Sequence, residues 1–193
     1  SGVSKAEKEI YNFIKSNIEE EVIENLNILD GKEIDIYIPD LKIGIEYNGL
    51  YWHSELYKEN NYHLDKLELA KSKGIRLIQI FEDEWLNKKE IVKSRLLNIL
   101  GKTQNRIYAR KCEIREISSK ECRKFLDQNH IQGFVGGNVY LGLYQGDELV
   151  SLMTFSSLRK NLGQTSIEGS FELLRFCNKL NTTVIGGASK LFK

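Results

Sequence analysis

Apolar and polar residues recur along this chain with periods that change every ten to fifteen residues. Ser4-Lys-Ala-Glu7 has the Ser-x-x-Glu pattern of a capping box ahead of Ile10, Phe13, Ile14 and Ile18, apolar positions at helical spacing. It predicts a helix over about 5–21. Asp30-Gly31 is a turn pair, and Glu33-Ile-Asp-Ile-Tyr-Ile38 alternates as a strand does. Pro39-Asp40 breaks the run, and Lys42-Ile-Gly-Ile-Glu-Tyr47 supplies a second strand, so the two form a hairpin. A helical pattern over 61–73, stopped by Gly74, leads to the apolar run Ile75–Phe81, a buried strand. Lys88–Leu100 then reads as an amphipathic helix closed by Gly101. Helix, two antiparallel strands, helix, strand and helix make an α/β layer architecture with a mixed sheet flanked by helices.

Gly101-Lys-Thr-Gln-Asn105 is the expected link to a second domain, giving domains 1–104 and 105–193. The second pattern opens with a strand over Tyr108–Ile114, followed by a helix capped by Ser118/Ser119 and running to Gln128. After the turn at Gly136-Gly137-Asn138, Val139–Tyr144 and Glu148–Phe155 flank Gln145-Gly-Asp147 as a hairpin. Phe171–Phe176 is a further strand. Val184–Phe192 reads as strand, glycine turn and the first turn of a helix, so an α+β domain cut short at its C-terminal end is expected.

Composition adds exclusions. In 193 residues there is one proline, 41% are hydrophobic and 28% charged, the profile of a folded rather than a disordered chain. No apolar run reaches about 18 residues and the first residues carry no apolar signal region, which argues against membrane insertion and secretion. Three cysteines, Cys112, Cys122 and Cys177, without a C-x-x-C pair argue against a zinc ribbon or a disulfide framework and for a reducing compartment. The formal net charge of +1 conceals an asymmetry: residues 1–106 carry 16 basic and 19 acidic residues, residues 107–193 carry 12 and 8. An acidic half that holds a metal beside a basic half that holds a polyanion would look like this, and so would two ordinary domains.

Asp35, Glu46 and Asn48 are the first candidates for chemistry. On a strand Glu46 and Asn48 share a face, and Asp35 on the neighbouring strand could bring a second carboxylate to the same place, an oxygen set suited to a hard divalent cation. Alternating acidic residues on a half-exposed hairpin are equally the pattern of plain solvated positions. The continuation Gly49-Leu-Tyr-Trp-His53 adds an aromatic pair and a histidine directly after the strand.

With these segments together, D-x10-E-x-N resembles the PD-(D/E)xK nuclease core, with Asn48 where that pattern has lysine. Glu7 in S-K-A-E-K-E-I, Asp35 in E-I-D-I-Y-I-P-D, the segment I-E-Y-N-G-L-Y-W-H and G-I-R-L-I-Q-I-F-E-D-E-W resemble very-short-patch mismatch-repair endonucleases. They look even more like the related catalytic domain of phage- and intron-borne homing endonucleases with an E-D-x-H-D signature. The resemblance covers roughly residues 4–100. It implies a Mg²⁺-dependent (or Mn²⁺-dependent) endonuclease acting on double-stranded DNA in a bacterial or phage-infected cytoplasm. Asp35 and Glu46 would hold the metal, His53 would act as general acid or base, and Glu7 would position water or His53. Tyr51 and Trp52 occupy part of the segment that wedges into DNA in the repair enzymes, and His63, Asp65 or Lys66 would complete the site or contact phosphate. Leu50 stands where a zinc-binding cysteine of the repair enzymes would be, so no structural zinc is expected.

F-L-D-Q-N-H-I-Q-G, F-E-L-L-R-F-C and V-I-G-G-A-S-K-L resemble the domain that often follows such nucleases, and its strand–Gly-Gly–helix ending resembles acetyltransferase folds. A glycine turn into a helix N-terminus can receive a phosphate, of coenzyme A or of DNA. Arg159, Lys160 and Lys190, with His130 and Arg175, are the candidates for DNA contact, Arg175 alternatively bridging to Glu172. A mismatch-repair or restriction nuclease is the alternative within the same chemistry. An acyltransferase-like DNA-modifying or DNA-binding protein is the alternative outside it.

Overall fold

A computed structural model describes residues 4–49, 56–157 and 170–193, the side chains of 56–63 excepted. The fold class is α/β, and the chain divides into two compact units, Ser1–Leu96 and Leu97–Lys193.

In the first unit, α1 (Lys5–Asn17) begins with the expected capping box: Glu7 N–H donates to Ser4 Oγ at 3.1 Å and Ser4 N–H to Glu7 Oε2 at 3.3 Å. Its inner face buries Ile10 and Ile14. The helix ends before the expected Glu21, at an extended Ile18. Three successive glutamates, Glu19 to Glu21, would otherwise stand at the negative end of the helix dipole.

A four-stranded sheet follows in the order β1 (Ile23–Leu29), β2 (Lys32–Ile38), β3 (Ile43–Asn48), β4 (Arg76–Phe81). β1–β2 and β2–β3 are antiparallel and β3–β4 is parallel. β1 is absent from the sequence expectation because Ile-Glu-Asn-Leu-Asn-Ile-Leu carries two asparagines, poor strand formers, and Asn25 sits at φ +51°. Asp30 and Gly31, both at positive φ, form the two-residue turn joining β1 to β2, the geometry that suits a twisted hairpin.

α2 (Leu56–Ser72) starts earlier than the expected Asn61 and stops at Gly74, whose φ of +72° few other residues adopt readily. Ala70 of α2 packs with Leu29, Ile34 and Ile75, flanked by Tyr37, Leu69 and Leu77. At Gly44 the sheet leaves no room for a side chain: a Cβ there would lie 2.9 Å from Leu77 Cδ1 and 3.1 Å from Ile34 Cγ2. Gly44→Ala is therefore expected to destabilise the unit by about 1–3 kcal/mol, measured as a lower urea midpoint at unchanged slope.

The acidic segment after β4 forms its own short helix, α3 (Glu82–Asn87), before α4 (Lys89–Ile99). Trp85 is buried and its indole N–H donates to Glu9 Oε2 at 3.1 Å, which also takes Lys89 Nζ at 2.9 Å.

The second unit pairs β5 (Asn105–Tyr108) in parallel with β10 (Thr182–Ile185). It also holds an antiparallel sheet of β6 (Glu113–Glu116), β7 (Val139–Gln145), β8 (Glu148–Ser157) and β9 (Phe171–Asn178). The single strand expected over Tyr108–Ile114 is instead β5 and β6, in different sheets, separated by a 3-10 turn at Ala109–Lys111. Local alternation cannot reveal that break, because Ala109 within the turn and Cys112 directly after it are both buried. α5 (Ser119–Asn129) carries the capping box of Ser118 with Glu121. The expected glycine turn is present at Gly186, with φ +77°, and leads into α6 (Gly187–Leu191).

All three cysteines are buried free thiols, with burial pushing Cys122 up to about 11 and Cys177 up to about 12. They are inert packing groups. Arg175 does not bridge to Glu172: its Nε donates to the Gly133 carbonyl at 3.1 Å and its Nη1 to that of Leu174 at 2.9 Å. His130 Nδ1 accepts from Gln132 N–H at 3.1 Å. No described helix is long and apolar enough to cross a membrane.

Candidate active site

β3 explains why its polar residues matter. Hydrogen-bonded on both edges, by β2 and β4, it is buried at Ile43 and Ile45 on one face and at Gly44, Glu46 and Asn48 on the other. Glu46 and Asn48 are therefore interior groups, each 6% exposed, and the solvated-hairpin alternative does not apply to them. Interior carboxylates are rare without a partner.

The partner of Glu46 comes from α2. Lys66 lies one helical turn before Ala70, on the face that packs against the sheet, and is only 5% exposed. Its Nζ reaches Glu46 Oε2 at 2.7 Å. Of the three residues offered to complete the site, Lys66 is the one the structure brings to Glu46; it sits within the body of α2 and is buried, so a solvated helix start does not describe it. Asp65, its neighbour, is exposed.

Asp35 is held by backbone. The regular β2–β3 register ends at Ile36↔Ile45, and beyond it Tyr47 N–H donates to the Asp35 carboxylate at 2.8 Å. Burial pushes the Asp35 carboxyl up and the charge of Glu7 adds to this, against the Tyr47 N–H and the Lys66 charge. Burial and then the charge of Asp35 drive Glu46 up to about 7, against the Lys66 ammonium. Two carboxylates thus destabilise each other's charge around a single cation.

Polar atoms are left over at the same place. Among the described residues, Glu46 Oε1 and Asn48 Nδ2 are buried without a hydrogen-bond partner. So is Nε2 of Gln79, which stands directly opposite Glu46 in the β3–β4 register. Gln79 was not among the sequence candidates, although a lone amide inside the apolar run Ile75–Phe81 was a readable signal. Asp35 and Glu46 suit a hard cation completed by water or phosphate oxygens, and the orphaned Glu46 oxygen fits that use. Among the described residues no three histidine, cysteine, aspartate or glutamate side chains form a metal-holding group.

The remaining candidates divide. Glu7 is committed to the capping box, from which its charge reaches Asp35. His63 lies in α2, its side chain outside the description; Tyr51, Trp52, His53, Arg159 and Lys160 lie outside the described residues. In the second unit Lys190 Nζ donates to the carbonyls of Ala109, at 2.9 Å, and Cys112, so its ammonium tethers the 3-10 turn instead of standing free for DNA.

No family model matches the chain and no curated protein matches it. One solved structure is similar, a homing endonuclease catalytic domain, I-Bth0305I. It is 24% identical over 51% of this chain and 96% of that one, with a TM-score of 0.40. A score of that size leaves function to be argued from the residues themselves.

Proposed function

We propose that the first unit is the catalytic domain of a divalent-metal-dependent endonuclease of homing type, hydrolysing phosphodiester bonds of double-stranded DNA. The observation that carries this reading is the Glu46 carboxylate: fully interior, with one oxygen bound to Lys66 and the other without a donor among the described residues, beside the carboxylate of Asp35. A buried, half-satisfied carboxylate is costly in an empty site and is explained by a positively charged ligand.

Asp35 and Glu46 would hold Mg²⁺ (or Mn²⁺), which when bound would polarise the scissile phosphate and neutralise its charge. The protein's own part begins with a proton. Burial and Asp35 push Glu46 up to about 7, so its carboxyl is poised between its protonated and ionised forms at neutral pH, and Lys66 steadies the ionised form through Oε2. The Tyr47 N–H fixes one Asp35 oxygen and so orients the other. His53, a few residues beyond β3, is assigned the general acid or base role, and Tyr51 and Trp52 the contact with DNA, by resemblance. The second unit, with 14 basic and 8 acidic residues in 97–193, is assigned the attraction to the polyanion.

Incubation with supercoiled plasmid tests the proposal. Nicked or linear product is expected with Mg²⁺, none with a chelator, and none from Asp35→Asn folded to the wild-type circular-dichroism spectrum. Cleavage unaffected by chelator, or by Asp35→Asn, overturns the metal site. A long unique target against a mismatched duplex separates the homing type from the repair type.

A further inference from the structure

The second unit contains an open cavity of about 540 Å³, lined by Tyr108 from the end of β5, Arg110 from the 3-10 turn, Ile185 from β10, and Ser189, Lys190 and Lys193 from the α6 segment. None of its lining residues is acidic. Arg110 forms no ion pair among the described residues; its guanidinium stacks 5.1 Å from the Tyr108 ring centroid. A stacked guanidinium keeps its N–H edge free for an oxyanion. Lys190 is solvated by two backbone carbonyls, which hold its ammonium without cancelling its charge. By fastening Ala109 and Cys112 together, it also fixes the turn that presents Arg110. The wall beside these cations is apolar and open, with Tyr108 43% and Ile185 40% exposed.

We propose that this cavity binds a nucleic-acid strand, Arg110 taking a backbone phosphate and Tyr108 the adjoining sugar or base. Uncompensated positive charge selects an anion, and the exposed aromatic and isoleucine select one joined to a flat, partly apolar group. The site stands on the second unit alone, and the choice of DNA as the strand rests on the nuclease reading. Arg110 would then be a phosphate contact of this unit that was not among the sequence candidates.

The test is DNA affinity of the full chain in chelator, against salt concentration, for duplex and single-stranded oligonucleotides, with coenzyme A and inorganic phosphate as competitors. Arg110→Ala is expected to weaken binding about threefold to tenfold at moderate salt and to reduce the salt slope by about one. Arg110→Glu should weaken it further. Tyr108→Ala should weaken single-strand binding by about fivefold or more and leave the slope unchanged. Lys179→Ala, whose lysine pairs with Glu148, serves as a surface-charge control and should do little. Unchanged affinity and slope in both Arg110 variants overturns the proposal. So does a wild-type chain that binds no DNA, or displacement of DNA by millimolar phosphate alone. Coenzyme A binding lost in Arg110→Ala without any effect on DNA would assign the cavity to an acyl carrier instead. Because no step needs cleavage, binding that is weakened in both Arg110 variants upholds this proposal even if the chelator and Asp35→Asn experiments overturn the nuclease reading.

Discussion

Glu46→Gln should lower Mg²⁺-dependent plasmid cleavage by about a thousandfold or more while leaving DNA affinity in chelator unchanged. The substitution keeps the size of the side chain and removes its charge, so what is lost is the attraction to the cation, several kcal/mol of transition-state stabilisation. The same residue contributes to the pH dependence. Glu46 is pushed up to about 7 by burial and by Asp35, so metal must displace a proton at neutral pH. Wild-type cleavage should rise by up to tenfold per pH unit below about 7 and level off above it, and Mg²⁺ should raise the melting temperature more at pH 8 than at pH 5. Glu46→Gln should lose the difference between the two pH values. Cleavage by Glu46→Gln at the wild-type rate, or a Mg²⁺ effect on melting that survives it unchanged, would remove Glu46 from the metal site.

Lys66→Met carries the second large effect, on stability. Removing one member of a buried ion pair strands the other, at a cost of about 3–5 kcal/mol. Here the stranded group can escape by taking a proton, so the cost depends on pH. In the wild type, burial and the neighbouring Asp35 push the folded Glu46 carboxyl up to about 7, from about 4.5 in the unfolded chain. Its contribution to stability is complete below about 4.5 and is lost as pH rises through about 7; raised Asp35 acts in the same direction. Without the Lys66 ammonium, which holds Glu46 down, that loss continues to higher pH. Urea unfolding should therefore show Lys66→Met destabilised by several kcal/mol at pH 8 and by little at pH 5. Equal cost at both pH values would mean that Lys66 contributes packing by its methylene stem and that its charge is not engaged with Glu46.

These expectations rest on groups that were visible in the sequence to different degrees. Asp35, Glu46 and Asn48 could be chosen because period-two alternation places chemistry on strands, whereas Glu7 became a candidate only through the resemblance, its capping box announcing no more than a helix start. Lys66 could be named only as one of three residues, with His63 and Asp65, offered to complete the site. Its burial depends on α2 lying across β3, a contact between segments twenty residues apart that no local period encodes. Gln79 escaped for the same reason: it matters because β4 pairs in parallel with β3, in a register that sets it against Glu46.

Local sequence determined the helices that begin with Ser4 and Ser118, the turns at Asp30-Gly31 and Gly74, the β7–β8 hairpin and the α/β class. Each follows from side-chain hydrogen bonds, positive φ or periodicity acting within a few residues. Tertiary structure alone decided three things. It made β1 a strand despite its asparagines, because pairing with β2 outweighs a weak propensity. It split Tyr108–Ile114 between two sheets. And it put β3 between two neighbours, so that Glu46 lost its water and met Lys66, turning an ordinary exposed-looking glutamate into one that titrates near 7. Charge in a protein depends on what surrounds it, and those surroundings are assembled from distant parts of the chain.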